Sequence, residues 1–175
     1  RADPDTGVDY PSAWWNGGSI DVADDWSVNF TIAEETTSGT GTSGVGFCFV
    51  LQNDPDGLDA KSNIDGGYGY DGIRNSIAIC FNVESSNSAH IFVNGDTSQE
   101  ARDPVSNSAY SWSSILDLDA VPKVKIVVAY EAVSQKLLVK YPDDNNENEV
   151  LMEVKIDIID TLGASKATVG FVAEE

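Results

Sequence analysis

Histidine, methionine and cysteine are almost missing from this chain of 175 residues, which has one His, one Met and two Cys. A single imidazole, His90, leaves little material for serine or cysteine nucleophile chemistry, and neither a GxSxG elbow nor a GxxxxGKS/T phosphate loop occurs. Two cysteines are too few for a disulfide scaffold or a tetrahedral zinc site, although they are enough for one bridge. The chain is therefore read as having no enzymatic activity. Basic residues are scarce as well: ten Lys plus Arg face 29 Asp plus Glu, a formal net charge of -19. Such a surface repels nucleic-acid phosphate and anionic lipid, so nucleic acid is not an expected partner. No apolar run approaches the roughly 18 residues that a spanning helix needs, and membrane insertion is not expected either. The opening RADPDTG has no initiator methionine and no apolar signal core. The expectation is one domain over residues 1–175, cut from a larger polypeptide or assembly. Hydrophobic residues make up 41% of the sequence, enough to build a core for a domain of this length.

What is present has a period of two. Trp26, Val28, Phe30 and Ile32 alternate with Ser27, Asn29 and Thr31, the signature of a strand with one wet and one buried face. GVGFCFVLQ (44–52) and NSIAICFNV (75–83) are nearly continuous apolar runs, as in strands covered on both faces, with 77–83 read as a central strand. HIFVN (90–94) follows. Further strands run through Val124 to Tyr130, Leu137 to Tyr141, Val150 to Ile158, and ATVGFVA near the end. Gly-, Asp- and Asn-rich segments at 36–44, 53–57, 63–72 and 142–149 separate these runs and read as turns, the last as a solvated hairpin tip. Only 113–119 has the pattern of a helical turn. Strands at this spacing predict an all-β, antiparallel β-sandwich.

Taken in order, SAWWNGGSIDVADDWSVNFTI, GVGFCFVLQNDPDGLDA, GGYGYDGIRNSIAICFNVESSNSAHIFVN, KVKIVVAY, KLLVKY and ATVGFVA resemble an L-type (legume-type) lectin domain over nearly the whole chain. The resemblance implies a concanavalin-like jelly roll, glycans or glycoproteins as partners, and a sugar site on loops over a curved front sheet. It also implies that the family's first and last strands are missing within this chain. Uncovered sheet edges would then offer a route to self-assembly. Family members support their loops with calcium and often a second metal. Here Cys80 and Asn82 stand where the family has a glutamate and an aspartate, and the next loop is shortened to ESSNSA, with Glu84 and Asn87 as the remaining oxygen donors. His90 matches a family histidine, but a lone histidine cannot hold a hard cation that prefers several carboxylates. The expectation is no cofactor, with calcium as the alternative.

The same resemblance places the carbohydrate-binding residues at Ser43, where the family has an aspartate, at the glycine loop Gly67, Tyr68 and Gly69, and at Asn87. The glycines let backbone N–H groups approach a ligand, and Tyr68 offers a ring face to a pyranose. Cys48 and Cys80 lie in neighbouring front-sheet strands of this resemblance; a bridge and a pair of buried free thiols are both open readings. Asn29-Phe30-Thr31 is the one permitted N-glycosylation sequon, with its asparagine phased outward, which suggests an extracellular or cell-surface glycoprotein. Trp14 and Trp26 are read as core, Trp15 and Trp112 as surface. NDPDGLD carries an echo of a calcium loop, but the remaining ligand spacing is absent and the segment reads as turn chemistry. The ExDxxE strand motif of one glycosidase group is absent. The functional expectation is a lectin-like module that recognises carbohydrate weakly and multivalently, with a structural or adhesion module as the alternative.

Overall fold

A computed structural model describes residues 11–33, 46–62, 67–82, 88–100, 110–111, 123–141 and 149–174. Among these residues, twelve strands and one short α-helix follow one another as β1 (Ser12–Trp14), β2 (Ile20–Asp21), β3 (Trp26–Ala33), β4 (Gly46–Gln52), β5 (Ser76–Asn82), β6 (Ser88–Val93), β7 (Asp96–Glu100), β8 (Tyr110–Ser111), β9 (Lys123–Glu131), β10 (Lys136–Tyr141), β11 (Glu149–Lys155), α1 (Ile158–Leu162) and β12 (Lys166–Glu174), with single 3-10 turns at Gly57–Asp59 and Gly67–Gly69. The larger sheet has the order β1-β12-β4-β5-β6-β7, with β2 on β12 and β8 on β6; the smaller has the order β11-β10-β9-β3. The strand pairings are antiparallel. This is the all-β sandwich that the period-two patterning predicts.

Burial explains which strands alternate and which do not. In β9, the side chains of Val124, Ile126, Val128 and Tyr130 are buried and turn toward the larger sheet, while Lys123, Lys125 and Glu131 stay exposed. β5 is buried at all of its positions because both faces are covered. One face contributes Ile77, Ile79 and Phe81 to the core between the sheets, together with Phe49, Leu51, Ile126 and Leu137. The other face contributes Ala78 and Cys80 to a second apolar cluster with Cys48, Val50, Tyr70, Ile73, Phe92 and Val172. Each fully buried large side chain is worth about 1.5–3 kcal/mol of transfer free energy, so the two-sided strands carry much of the stability. At one flank of the core, Phe30 stacks on Phe49 at 5.6 Å and meets Phe171 edge-on at 5.1 Å.

Two expectations need correcting. The strand pattern from Val150 does not run on to Ile158: β11 ends at Lys155 and Ile158 opens α1. Asp157 caps that helix by accepting a hydrogen bond from the Asp160 N–H at 3.0 Å, and Gly163 ends it in the left-handed region at φ 64°. Trp14 and Trp26 are half-buried rather than fully enclosed, each packing against the edge of one cluster. The Trp14 indole donates to Ala60 O at 2.8 Å, whereas the buried Trp26 Nε1 has no hydrogen-bond partner among the described residues. Trp15 is 63% exposed. The 113–119 segment, Trp112, Val83 and residues 142–148 lie outside the described residues.

Candidate functional site

Strand register fixes what the outer face of the larger sheet presents. Val172 lies opposite Cys48, Cys48 opposite Cys80, and Cys80 opposite His90, which makes one row across β12, β4, β5 and β6. The next row toward one end runs Glu174, Gly46, Asn82 and Ser88; the row on the other side runs Gly170, Val50, Ala78 and Phe92. Cys48 and Cys80 are joined by a disulfide with both residues fully buried, so two central strands are clamped at the middle of this face.

The 67–72 segment folds over these rows. Gly67, Tyr68 and Gly69 all have positive φ, at 68°, 58° and 72°. Glycine adopts this region freely, whereas tyrosine does so at a cost of about 1–3 kcal/mol. Gly69 has a second reason to lack a side chain, since a Cβ there would sit 2.1 Å from Ala173 O. Gly46 makes room in the same way: a Cβ on it would lie 2.9 Å from Tyr68 Cδ1 and closer still to Phe81 O. The Tyr68 ring is half-buried and nearly parallel to two rings of β6, with centroids 6.5 Å from His90 and 6.3 Å from Phe92; His90 and Phe92 stack at 5.8 Å. Three rings thus form one aromatic surface.

Carboxylates hold the segment down. The Tyr68 N–H donates to Glu174 Oε2 at 3.2 Å. Asp71 accepts from the Thr97 N–H at 2.9 Å and from Thr97 Oγ1 at 3.0 Å, tying the turn to β7. Beneath it, Tyr70 is buried with its hydroxyl 2.7 Å from Ser76 Oγ, and burial pushes its phenol well above the ordinary tyrosine value. Cys48 Sγ lies 3.9 Å from Tyr68 O, so the disulfide underlies the turn.

Of the expected site residues, Gly67, Tyr68, Gly69, Cys80, Asn82 and His90 come together on this face, whereas Ser43 and Asn87 lie outside the described residues, as does Glu84. Asn29 is exposed on β3, in the smaller sheet and away from this face. Sequence reasoning missed Glu174, Asp71 and Gly46. Their partners are distant in sequence, 106 residues for Glu174 with Tyr68 and 26 for Asp71 with Thr97, so local patterning held no signal for them.

The described strand positions Cys80, Asn82 and His90 do not make a set of oxygen donors for a hard cation. The Cys80 sulfur is bonded to Cys48, Asn82 offers a neutral amide, and the His90 ring lies nearly parallel to those of Tyr68 and Phe92. Among the described residues no three His, Cys, Asp or Glu side chains converge. The NDPDG segment is likewise committed elsewhere: Asp54, its side chain 3% exposed, accepts from the Arg74 N–H at 2.7 Å and the Asp56 N–H at 2.8 Å. Arg74 Nη2 lies 3.5 Å from Asp54 and 3.6 Å from Asp56, so the segment forms a turn closed by an ion pair.

No protein-family model matches this chain, and no curated protein matches it. Solved structures do. A Bauhinia forficata lectin in complex with GalNAc aligns with a TM-score of 0.58 and 15% identity over 99% of this chain and 77% of that one. Lectin I from Ulex europaeus, in complex with the methyl glycoside of α-L-fucose, aligns with a TM-score of 0.55 and 15% identity over 97% and 79%. Peanut lectin with a 9mer peptide gives a TM-score of 0.55 and 13% identity over 99% and 86%. The chain has the concanavalin-like sandwich fold of the legume lectins.

Proposed function

We propose that this chain is a non-catalytic recognition module of an extracellular or cell-surface protein that binds glycans through the Tyr68 face. The carrying observation is Tyr68 itself, held at positive φ between two glycines with its ring lined up with His90 and Phe92. A strained aromatic on a glycine turn suits stacking on the apolar face of a pyranose, while Glu174 beside it can accept hydrogen bonds from sugar hydroxyls. The fold likeness supports this reading, since structures of similar fold were solved with a fucoside and with GalNAc. Serine at position 43 replaces a charged acceptor with a neutral one, so affinity for one monosaccharide is no tighter than about 1 mM, or ~4 kcal/mol. Useful avidity then comes from multivalent display. Calorimetry with methyl glycosides of fucose, galactose and N-acetylgalactosamine tests it: millimolar binding lost in Tyr68→Ala supports the reading. Binding that Tyr68→Ala leaves unchanged overturns it.

A second reading, a structural or adhesion module that assembles through sheet edges, is favoured by β3. Its one strand partner among the described residues is β9, and beside it lies an apolar groove of about 490 Å³ lined by Phe30, Ile32, Phe47 and Phe171. Concentration-dependent sedimentation without glycan binding would select this reading. The extracellular setting is supported by the disulfide and by the exposed Asn29 sequon; intact mass before and after glycosidase treatment of secreted protein checks it.

A further inference from the structure

We infer that the Tyr68 ring platform is organised by a covalent clamp and two carboxylate tethers, the Cys48–Cys80 disulfide with Asp71 and Glu174, in the role that a bound cation would otherwise fill. The inference rests on reading this face as the ligand-binding one. A loop that presents three successive residues at positive φ must be fixed by something, because each of them has extended or helical alternatives. A hard cation would do this with several oxygen ligands, but the strand positions beneath the loop hold a bonded sulfur, a neutral amide and a stacked imidazole. The fixing groups that are present are of another kind. Glu174 receives the Tyr68 N–H, Asp71 receives two donors of Thr97, and the disulfide locks β4 to β5 under the Tyr68 carbonyl. These groups reach the loop from three directions: from β12 at one side, from β7 at the other, and from the sheet below.

Two consequences separate this arrangement from a cation-organised site. The platform keeps its order when divalent metal is stripped away. It also loosens when a tether is removed, even though the rest of the sandwich stays folded. Cys48, Cys80 and Asp71 are positioning residues here, acting through Tyr68; Glu174 shares that role through its bond to the Tyr68 N–H, besides its proposed contact with ligand hydroxyls.

The test uses the whole chain labelled with fluorotyrosine and read by fluorine NMR, with the Tyr68 signal assigned through Tyr68→Phe and the Tyr130 signal as the control for the opposite sheet. The expected result is a Tyr68 signal unmoved by excess EDTA and by later calcium. It moves toward the position of free fluorotyrosine in Glu174→Gln, in Asp71→Asn and in the Cys48→Val/Cys80→Ala double variant, with Tyr130 unchanged. A Tyr68 signal that EDTA shifts and calcium restores overturns the inference. So does one that stays put in all three variants. If the cysteine variant unfolds, shown by collapse of the Tyr130 signal, the two carboxylate variants decide the matter by the same criterion. Titrating methyl α-D-galactopyranoside and methyl α-L-fucopyranoside into the labelled chain separates the two claims. A Tyr68 signal that neither glycoside moves counts against glycan binding, while the chelator and variant responses decide the tethering.

Discussion

At the scale of single residues, side chains that are small or missing matter as much as those that are present. Gly69 and Gly46 exist so that Ala173 O and the Tyr68 ring can occupy the space where a Cβ would go. Gly69→Ala should destabilise the fold by about 1–3 kcal/mol, through the clash and the φ of 72° together, read as a lower denaturant midpoint with unchanged slope. A substitution that costs nothing would show that the turn sits elsewhere. Tyr70 gives a pH signature. Burial raises its pKa, so the folded state favours the neutral phenol; its contribution is fully present below the unfolded value of about 10 and is lost as pH rises above it. Wild-type stability should therefore fall above about pH 10, and Tyr70→Phe should flatten that alkaline fall while costing about 1 kcal/mol at neutral pH for the lost bond to Ser76. Equal alkaline slopes in the two proteins would remove Tyr70 as the cause.

At the scale of elements, α1 depends on its ends, because five residues are too few to hold a helix unaided. Asp157 supplies the N-cap and also accepts from Gln135 Nε2 at 2.8 Å, which joins the helix to the turn between β9 and β10. Asp157→Ala should cost about 1 kcal/mol, with Asp157→Asn recovering most of it, measured by urea unfolding. The sequence shows why this element was hard to read: Ile156 and Ile158 continue the alternation of β11, so the period-two pattern masked an Asp cap and a Gly stop that were both in plain view. The nearly continuous apolar runs of β4 and β5 were legible because burial on both faces confines their polar residues, Gln52, Ser76 and Asn82, to the strand ends. The glycine turn and Tyr68 were legible through resemblance, and the strand alternation placed Asn29 outward. Glu174 and Asp71 were not legible, since a carboxylate that meets a backbone N–H from a distant segment leaves no trace in local composition.

At the scale of the whole molecule, a formal charge of -19 sits on a domain of modest size. Self-repulsion on that surface opposes compaction, and it is screened as the Debye length falls from about 30 Å at 0.01 M salt to about 8 Å at 0.15 M. The melting temperature should rise over that range, with sodium chloride serving as well as calcium chloride at matched ionic strength. A rise confined to calcium would point to a specific cation site instead. The strand order carries a consequence for synthesis. β12 lies between β1 and β4, so the larger sheet stays open along β4 until residues 166–174 have left the ribosome. Until then, the clamped pair of β4 and β5 presents a bare hydrogen-bonding edge flanked by Phe47, Phe49 and Leu51, which is a template for pairing with any neighbouring nascent chain. The yield of native protein is then set by how quickly one late strand inserts between an early strand and a middle one, a contact of long sequence separation and therefore a slow one.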